Sequence, residues 1–122
     1  MAGVRGRVRR RTGRPVGRVN HGEVWTFKGN AGRSWRGVVL SVDTVNSAPG
    51  AYPLVAPIVR RFPEAETVPF AAQLSDLDPV SGVVLVAELL PVDPGRAAEL
   101  VGMLTGASVA RVADALRDLF DL

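Results

Sequence analysis

The chain has no cysteine and only one histidine, His21, among its 122 residues. These two scarcities exclude a disulfide framework, a thiolate metal site, a cysteine nucleophile and a zinc cluster of several imidazoles. No metal centre and no cofactor are therefore expected. Aromatic residues make up only 6% of the chain, so Val, Leu and Ala must fill most of the core. No apolar run reaches the roughly 18–20 residues needed to cross a bilayer, and the first residues lack the apolar stretch of a secretory signal. The expectation is a cytoplasmic protein with no membrane partner. The short glycine segment at 29–32 lacks the spacing and following helix of a phosphate-binding loop. A serine–histidine pair cannot be argued from one histidine near the N-terminus.

Acidic residues are missing from the first eighteen positions, which hold seven arginines: Arg5, Arg7, Arg9, Arg10, Arg11, Arg14 and Arg18. The remainder carries eight basic and twelve acidic side chains, so a net charge of +3 overall conceals −4 outside this segment. Residues 1–18 therefore read as an arginine-rich tail, broken up by glycines and Pro15. Such a tail is a disordered, solvated extension, a stretch ahead of a true start near Val19, or a holder of RNA phosphates through counterion release. Residues 19–122 read as one domain, long enough for a single core.

Within that domain, short β-favouring segments alternate with turn signals, the pattern of a small sandwich or barrel. Gly22 to Phe27, Gly37 to Val42, Tyr52 to Val59, Thr67 to Leu74, Val83 to Ala87 and Glu99 to Leu104 read as strands. Polar Lys28 to Arg33 and Asn46 to Gly50 read as loop and turn, and Pro53 and Pro57 suit edge or bulge positions. Asp93-Pro94 should start a helical turn. After Thr105, a natural N-cap, Val109, Val112, Ala113, Leu116, Leu119 and Phe120 fall on one helical face. The fold expected is mainly β, a five- or six-stranded curled sheet closed by a C-terminal helix. Asp76 and Asp78, in Leu-Ser-Asp-Leu-Asp-Pro, read as loop-shaping residues and not as a paired acid and base.

Several segments then match one family in order. Gly22-Glu23-Val24-Trp25 resembles the opening of MazF/PemK (Kid) toxins, with His21 where an arginine is usual. Arg36-Gly37-Val38-Val39-Leu40-Ser41-Val42-Asp43, followed by Asn46, is similar to the family's second strand and the segment after it. Leu54-Val55-Ala56-Pro57-Ile58 resembles its third strand, and Val84-Leu85-Val86-Ala87-Glu88 a later one. Leu100-Val101-Gly102-Met103-Leu104 and the ending Ala115-Leu116…Leu119-Phe120-Asp121-Leu122 are similar to the family's last strand and helix. The resemblance covers residues 21–122.

This resemblance implies an SH3-like small barrel of the MazF/PemK/CcdB type with a C-terminal helix, present as a homodimer. It implies the toxin of a type II toxin–antitoxin system, a hydrolase that is a sequence-specific, metal-independent endoribonuclease. The substrate would be single-stranded RNA, and the partner a cognate antitoxin that lays an acidic segment over the same groove. Two departures are visible. The column of the family's arginine falls on Trp35, with Arg36 next to it, and that of its threonine falls on Ile58 or Val59, neither of which carries a hydroxyl.

The candidate catalytic residues are Arg36, whose guanidinium can stabilise a phosphorane bidentately, and His21, a proton donor or acceptor near neutral pH. The candidate RNA-binding residues are Arg33, Arg60 and Arg61 for phosphates and Trp35 for base stacking. Trp25 alternates into a strand and belongs to the core. Two alternatives stay open: a catalytically impaired protein that binds RNA or antitoxin without cutting, and a gyrase poison on the same fold.

Overall fold

The computed structural model describes residues 18–62, 64 and 68–122. Apart from Arg18, the arginine-rich tail lies outside them, as does Thr67 at the head of the expected fourth strand. No helix among the described residues is long and apolar enough to cross a membrane.

The hairpin of β1 (Glu23–Lys28) and β2 (Ser34–Val39) starts the sheet, with Val24 opposite Val38 and Lys28 opposite Ser34. β2 begins three residues earlier than the apolar run suggests, because pairing with Lys28 and Phe27 extends it through exposed Ser34 and Arg36. It also ends earlier, and Asp43–Asn46 forms a short helix, α1. The inner edge of β3 (Leu54–Val59) lies on β2. Its outer edge is shared by β5 (Val83–Leu85) at Ile58 and Val59 and by β6 (Leu90–Pro91) at Leu54 and Val55. β4 (Ala71–Gln73) pairs with β5, and β7 (Ala97–Met103) with β1. All pairs are antiparallel, in the order β4-β5-β3-β2-β1-β7 with β6 beside β3. The seventh strand, against five or six expected, is two-residue β6, too short to show any alternation.

Both faces of the sheet are buried. On one, Val24, Val38, Ala56 and Val84 pack against Val112 and Leu104 beneath α2 (Gly106–Phe120). On the other, Trp25, Phe27, Val39 and Val55 gather with Val19, Val92 and Ala97. Trp25 is 1% exposed, as its strand position required. The expected N-cap is in place, with the Thr105 hydroxyl accepting from Ser108 N–H at 3.2 Å. Phe120 departs from its expected face and stands 60% exposed in the last turn.

The sequence segments that look most like motifs turn out to be fasteners. Glu23, 6% exposed, accepts from the Trp25 indole N–H at 2.9 Å and from Asn20 N–H at 2.8 Å. The Asn46 amide donates to the Ser41 carbonyl at 2.9 Å, and the Ser41 hydroxyl, which donates to Asn46, accepts from Leu54 N–H at 2.9 Å. Asp43 accepts from His21 N–H at 2.6 Å. Glu23, Ser41, Asp43 and Asn46 thus tie the starts of β1, α1 and β3 together.

Among the described residues β4 and β7 are not hydrogen-bonded to each other, so backbone pairing does not close the sheet. The loop from β4 to β5 bridges the gap. Pro79 lies so close on Gly102 of β7 that a Cβ there would fall 2.6 Å from it. Asp78 accepts from Ser75 N–H at 2.8 Å, Thr105 N–H at 2.8 Å, and the hydroxyls of Ser75 and buried Ser108 at 3.1 and 2.5 Å. Burial pushes the Asp78 carboxyl up, but the bonds from Ser108, Thr105 and Ser75 outweigh it and hold the pKa down at about 2.

Candidate nucleic-acid interface

Successive residues of a strand point to opposite faces, and that rule divides the candidate residues. Trp35 belongs with the Phe27 cluster and stacks on Phe27, ring centroids 4.9 Å apart at 29°. Arg36 faces the other way, with Thr26 and Ile58 as its cross-strand neighbours and Glu99 opposite Thr26 on β7. Because Arg36 sits opposite Ile58, Arg60 and Arg61 leave β3 at the same end of the sheet as Ser34 and Arg33. All four arginines are exposed.

His21 lies at the opposite end. It precedes β1, where Gly22 N–H donates to the Val39 carbonyl, and its ring Nδ1 lies 3.2 Å from the Leu40 carbonyl. Along an extended strand the separation from the Thr26–Arg36 level is roughly 16 Å. It sits at the mouth of an apolar crevice of about 60 Å³ under α2, lined by Val38, Leu104, Val112 and Leu116. Within one chain the structure therefore brings together Arg33, Arg36, Arg60 and Arg61 at one end of the sheet and leaves His21 apart.

The Trp35 face opens into a groove of about 780 Å³. One wall is the β1–β2 hairpin, with Lys28, Asn30, Arg33 and the Trp35 edge; the other is Tyr52 and the segment 90–96. The hairpin loop folds tightly: Gly29 N–H donates to the Arg33 carbonyl at 2.6 Å, and Ala31 and Gly32 take φ of 58° and 74°. A Cβ at Gly29 would lie 3.1 Å from that carbonyl and 3.3 Å from the Trp35 ring, so the bare glycine admits both. Across the groove, Asp93 caps the 3₁₀ turn Pro94–Arg96 by accepting from Gly95 N–H at 2.9 Å. Arg96 reaches back, donating to the Lys28 carbonyl at 3.2 Å. Val92 N–H bonds the Pro53 carbonyl at 2.9 Å, which continues the β3–β6 register toward Tyr52 and Asp93 on this groove.

The groove therefore presents three cations, Lys28, Arg33 and Arg96, around Trp35 and a 53% exposed Tyr52. Cations that follow a backbone combined with aromatic faces are what a single-stranded nucleic acid needs. Trp35 is less free than its polar neighbourhood suggests, since Phe27 covers one face. Sequence reasoning named Arg33 and Trp35 of this set and missed Lys28, Tyr52, Asp93 and Arg96. Only the fold joins residues 28 and 96, sixty-eight positions apart.

No family model matches the chain, and no curated protein does. Solved structures do. An endoribonuclease in complex with its cognate antitoxin, from Mycobacterial species, superposes with a TM-score of 0.75 at 16% identity, over 85% of this chain and 96% of that one. MazE–MazF from Deinococcus radiodurans superposes at 0.72 and 25% identity in one crystal form, over 85% of this chain and 96% of the other. A further form gives 0.70 and 28%, over 86% and 98%. The chain has the MazF-like fold that its sequence resembles.

Proposed function

We propose that this chain, built on the fold of MazF, is the toxin of a toxin–antitoxin pair and an endoribonuclease that takes single-stranded RNA into the Trp35 groove. The observation that carries the reading is the set of three cations and two aromatic side chains around one groove of that fold. Lys28 and Arg96 hold phosphates on opposite walls, while Tyr52 and the free edge of Trp35 receive bases. Cleavage without a metal requires the ribose 2′-oxygen to lose its proton and attack the adjacent phosphorus as the bond to the 5′-oxygen breaks. A guanidinium stabilises the charge that builds on the phosphorane. The reading moves this role from Arg36, the catalytic candidate of the sequence, to Arg33, which lines the groove, and leaves Arg36, Arg60 and Arg61 to hold the RNA strand beyond the hairpin. In this reading His21, which lies apart from these arginines within one chain, takes no part in the step.

The homodimer and the antitoxin belong to the same proposal. Leu90, 38% exposed on β6 opposite Val55, offers an apolar spot inside the groove. An acidic antitoxin segment would satisfy the cations that otherwise hold phosphate.

The test is incubation of the purified protein with a long, weakly structured RNA in EDTA, followed by mapping of new 5′ ends. Discrete cuts that vanish with Arg33→Ala and persist with His21→Ala are expected. RNA that stays intact with folded protein overturns the enzymatic reading. It would leave a binder, which the absence of a hydroxyl at Ile58 and Val59 beside the arginines favours.

A further inference from the structure

One feature of the groove does not serve phosphate binding. Asp93 places a carboxylate among Lys28, Arg33 and Arg96, where it weakens attraction for a polyanion. Its cap on the 3₁₀ turn uses one oxygen, which accepts from Gly95 N–H. Among the described residues the second oxygen has no hydrogen-bond or ion-pair partner. The Val92–Pro53 bond carries the β3–β6 register on to Tyr52 and Asp93, which line the same groove, and Tyr52 is 53% exposed. A carboxylate with free acceptor capacity beside an exposed aromatic face is suited to grip the edge of a base that rests on that face.

The chemistry of the four bases decides which one. A carboxylate only accepts. The Watson–Crick edge of guanine offers adjacent donors, N1–H and N2–H₂, that match the free oxygen and the second lone pair of the oxygen that caps Gly95. Cytosine and adenine each set one amino donor beside a ring nitrogen acceptor, and uracil sets N3–H between two carbonyls, so each brings a lone pair against the carboxylate. Resting on the reading of this groove as an RNA site, we propose that Asp93 reads an unpaired guanine seated on Tyr52 and thereby sets the base preference of the protein. Lys28, Arg33 and Arg96 bind any sequence; Asp93 admits one base at its position and disfavours the others.

The experiment measures binding of the full chain, by fluorescence anisotropy, to labelled 2′-O-methyl oligouridines, which cannot be cut at the 2′-oxygen. The oligomers carry a single central guanosine, inosine, adenosine, cytidine or uridine. Inosine keeps N1–H and loses the 2-amino group, so it removes one of the two bonds and nothing else. The guanosine oligomer should bind about tenfold tighter than those with adenosine, cytidine or uridine, with inosine between them. Asp93→Asn keeps the Gly95 cap but faces guanine with an amide donor, and should bring all five oligomers to within about twofold of one another. Tyr52→Ala should weaken every oligomer while guanosine stays the tightest. Equal wild-type affinities, or a guanosine preference that survives Asp93→Asn, overturns the proposal. Failure of the wild type to bind any oligomer overturns it together with the reading of the groove, and so separates the two failures.

Discussion

Removing the charge of Asp78 should loosen the fold by an amount that can be worked out beforehand. Its carboxylate takes four hydrogen bonds, two from Ser75 and one each from Thr105 and Ser108. Its pKa is about 2 against an ordinary 3.8. At about 1.4 kcal/mol per unit the difference would be about 2.5 kcal/mol, and solvent screening of this partly exposed carboxylate brings its contribution to about 2 kcal/mol at most. Because the folded value lies below the unfolded one, the unfolded chain binds more protons in between. The contribution is therefore complete above about pH 4 and is lost as pH falls toward about 2. Asp78→Asn keeps the shape and removes the charge, so urea unfolding at pH 7 should show a loss of about 2 kcal/mol with unchanged slope. Asp78→Ala also leaves the O–H of Ser108, 1% exposed, without its acceptor, and should lose about 1–2 kcal/mol more. The decisive comparison is the pH series: wild type should lose stability from pH 4 to 2 more steeply than Asp78→Asn. Parallel curves, or an asparagine variant as stable as wild type at pH 7, would refute the reasoning.

Three other outcomes follow from the geometry. Gly82→Ala should cost more than about 2 kcal/mol in urea unfolding, because φ is +138° there and the new Cβ would lie 2.3 Å from the Val59 carbonyl. Glu23→Ala should cost about 2–3 kcal/mol and change the near-UV circular dichroism of Trp25, whose indole N–H would lose its acceptor in the core. Arg33→Ala should reduce the slope of log affinity for single-stranded RNA against log salt by roughly 0.7; an unchanged slope would place the guanidinium away from phosphate.

The long, patterned elements were legible in the chain. Val24-Trp25-Thr26-Phe27 and Leu54 to Val59 carry enough apolar pairing surface to fix their strands, and Thr105 with the 3–4 spacing behind it specified α2. Boundaries were less visible where backbone pairing, and not side-chain burial, decides them. Ser34, Trp35 and Arg36 lengthen β2 although two of the three are exposed. That extension decides the site, since a strand places Trp35 and Arg36 on opposite faces while a loop leaves both free to converge. Asp78 shapes a loop, as its turn-forming string implies, but its grip on Thr105 and Ser108 spans twenty-seven and thirty positions that no local signal connects. Lys28, Tyr52, Asp93 and Arg96 each look ordinary in the sequence. They form a groove only once the hairpin and the segment 90–96 lie side by side.

The loop that bridges β4 and β7 also governs how the protein can fail. Each of those strands carries a backbone edge that no other described strand pairs with, and such an edge is a template for a neighbouring chain. Arg111 already covers one point on the β4 edge, donating to the Gln73 carbonyl at 3.2 Å, and register shifts in the pairing of β1 with β7 twist the other edge out of line. Among the described residues Pro79 and Asp78 also lie across the gap. A chain that loses this clasp uncovers adhesive edges before its core melts. Self-association, visible as concentration-dependent light scattering, should therefore precede loss of secondary structure in Asp78→Ala.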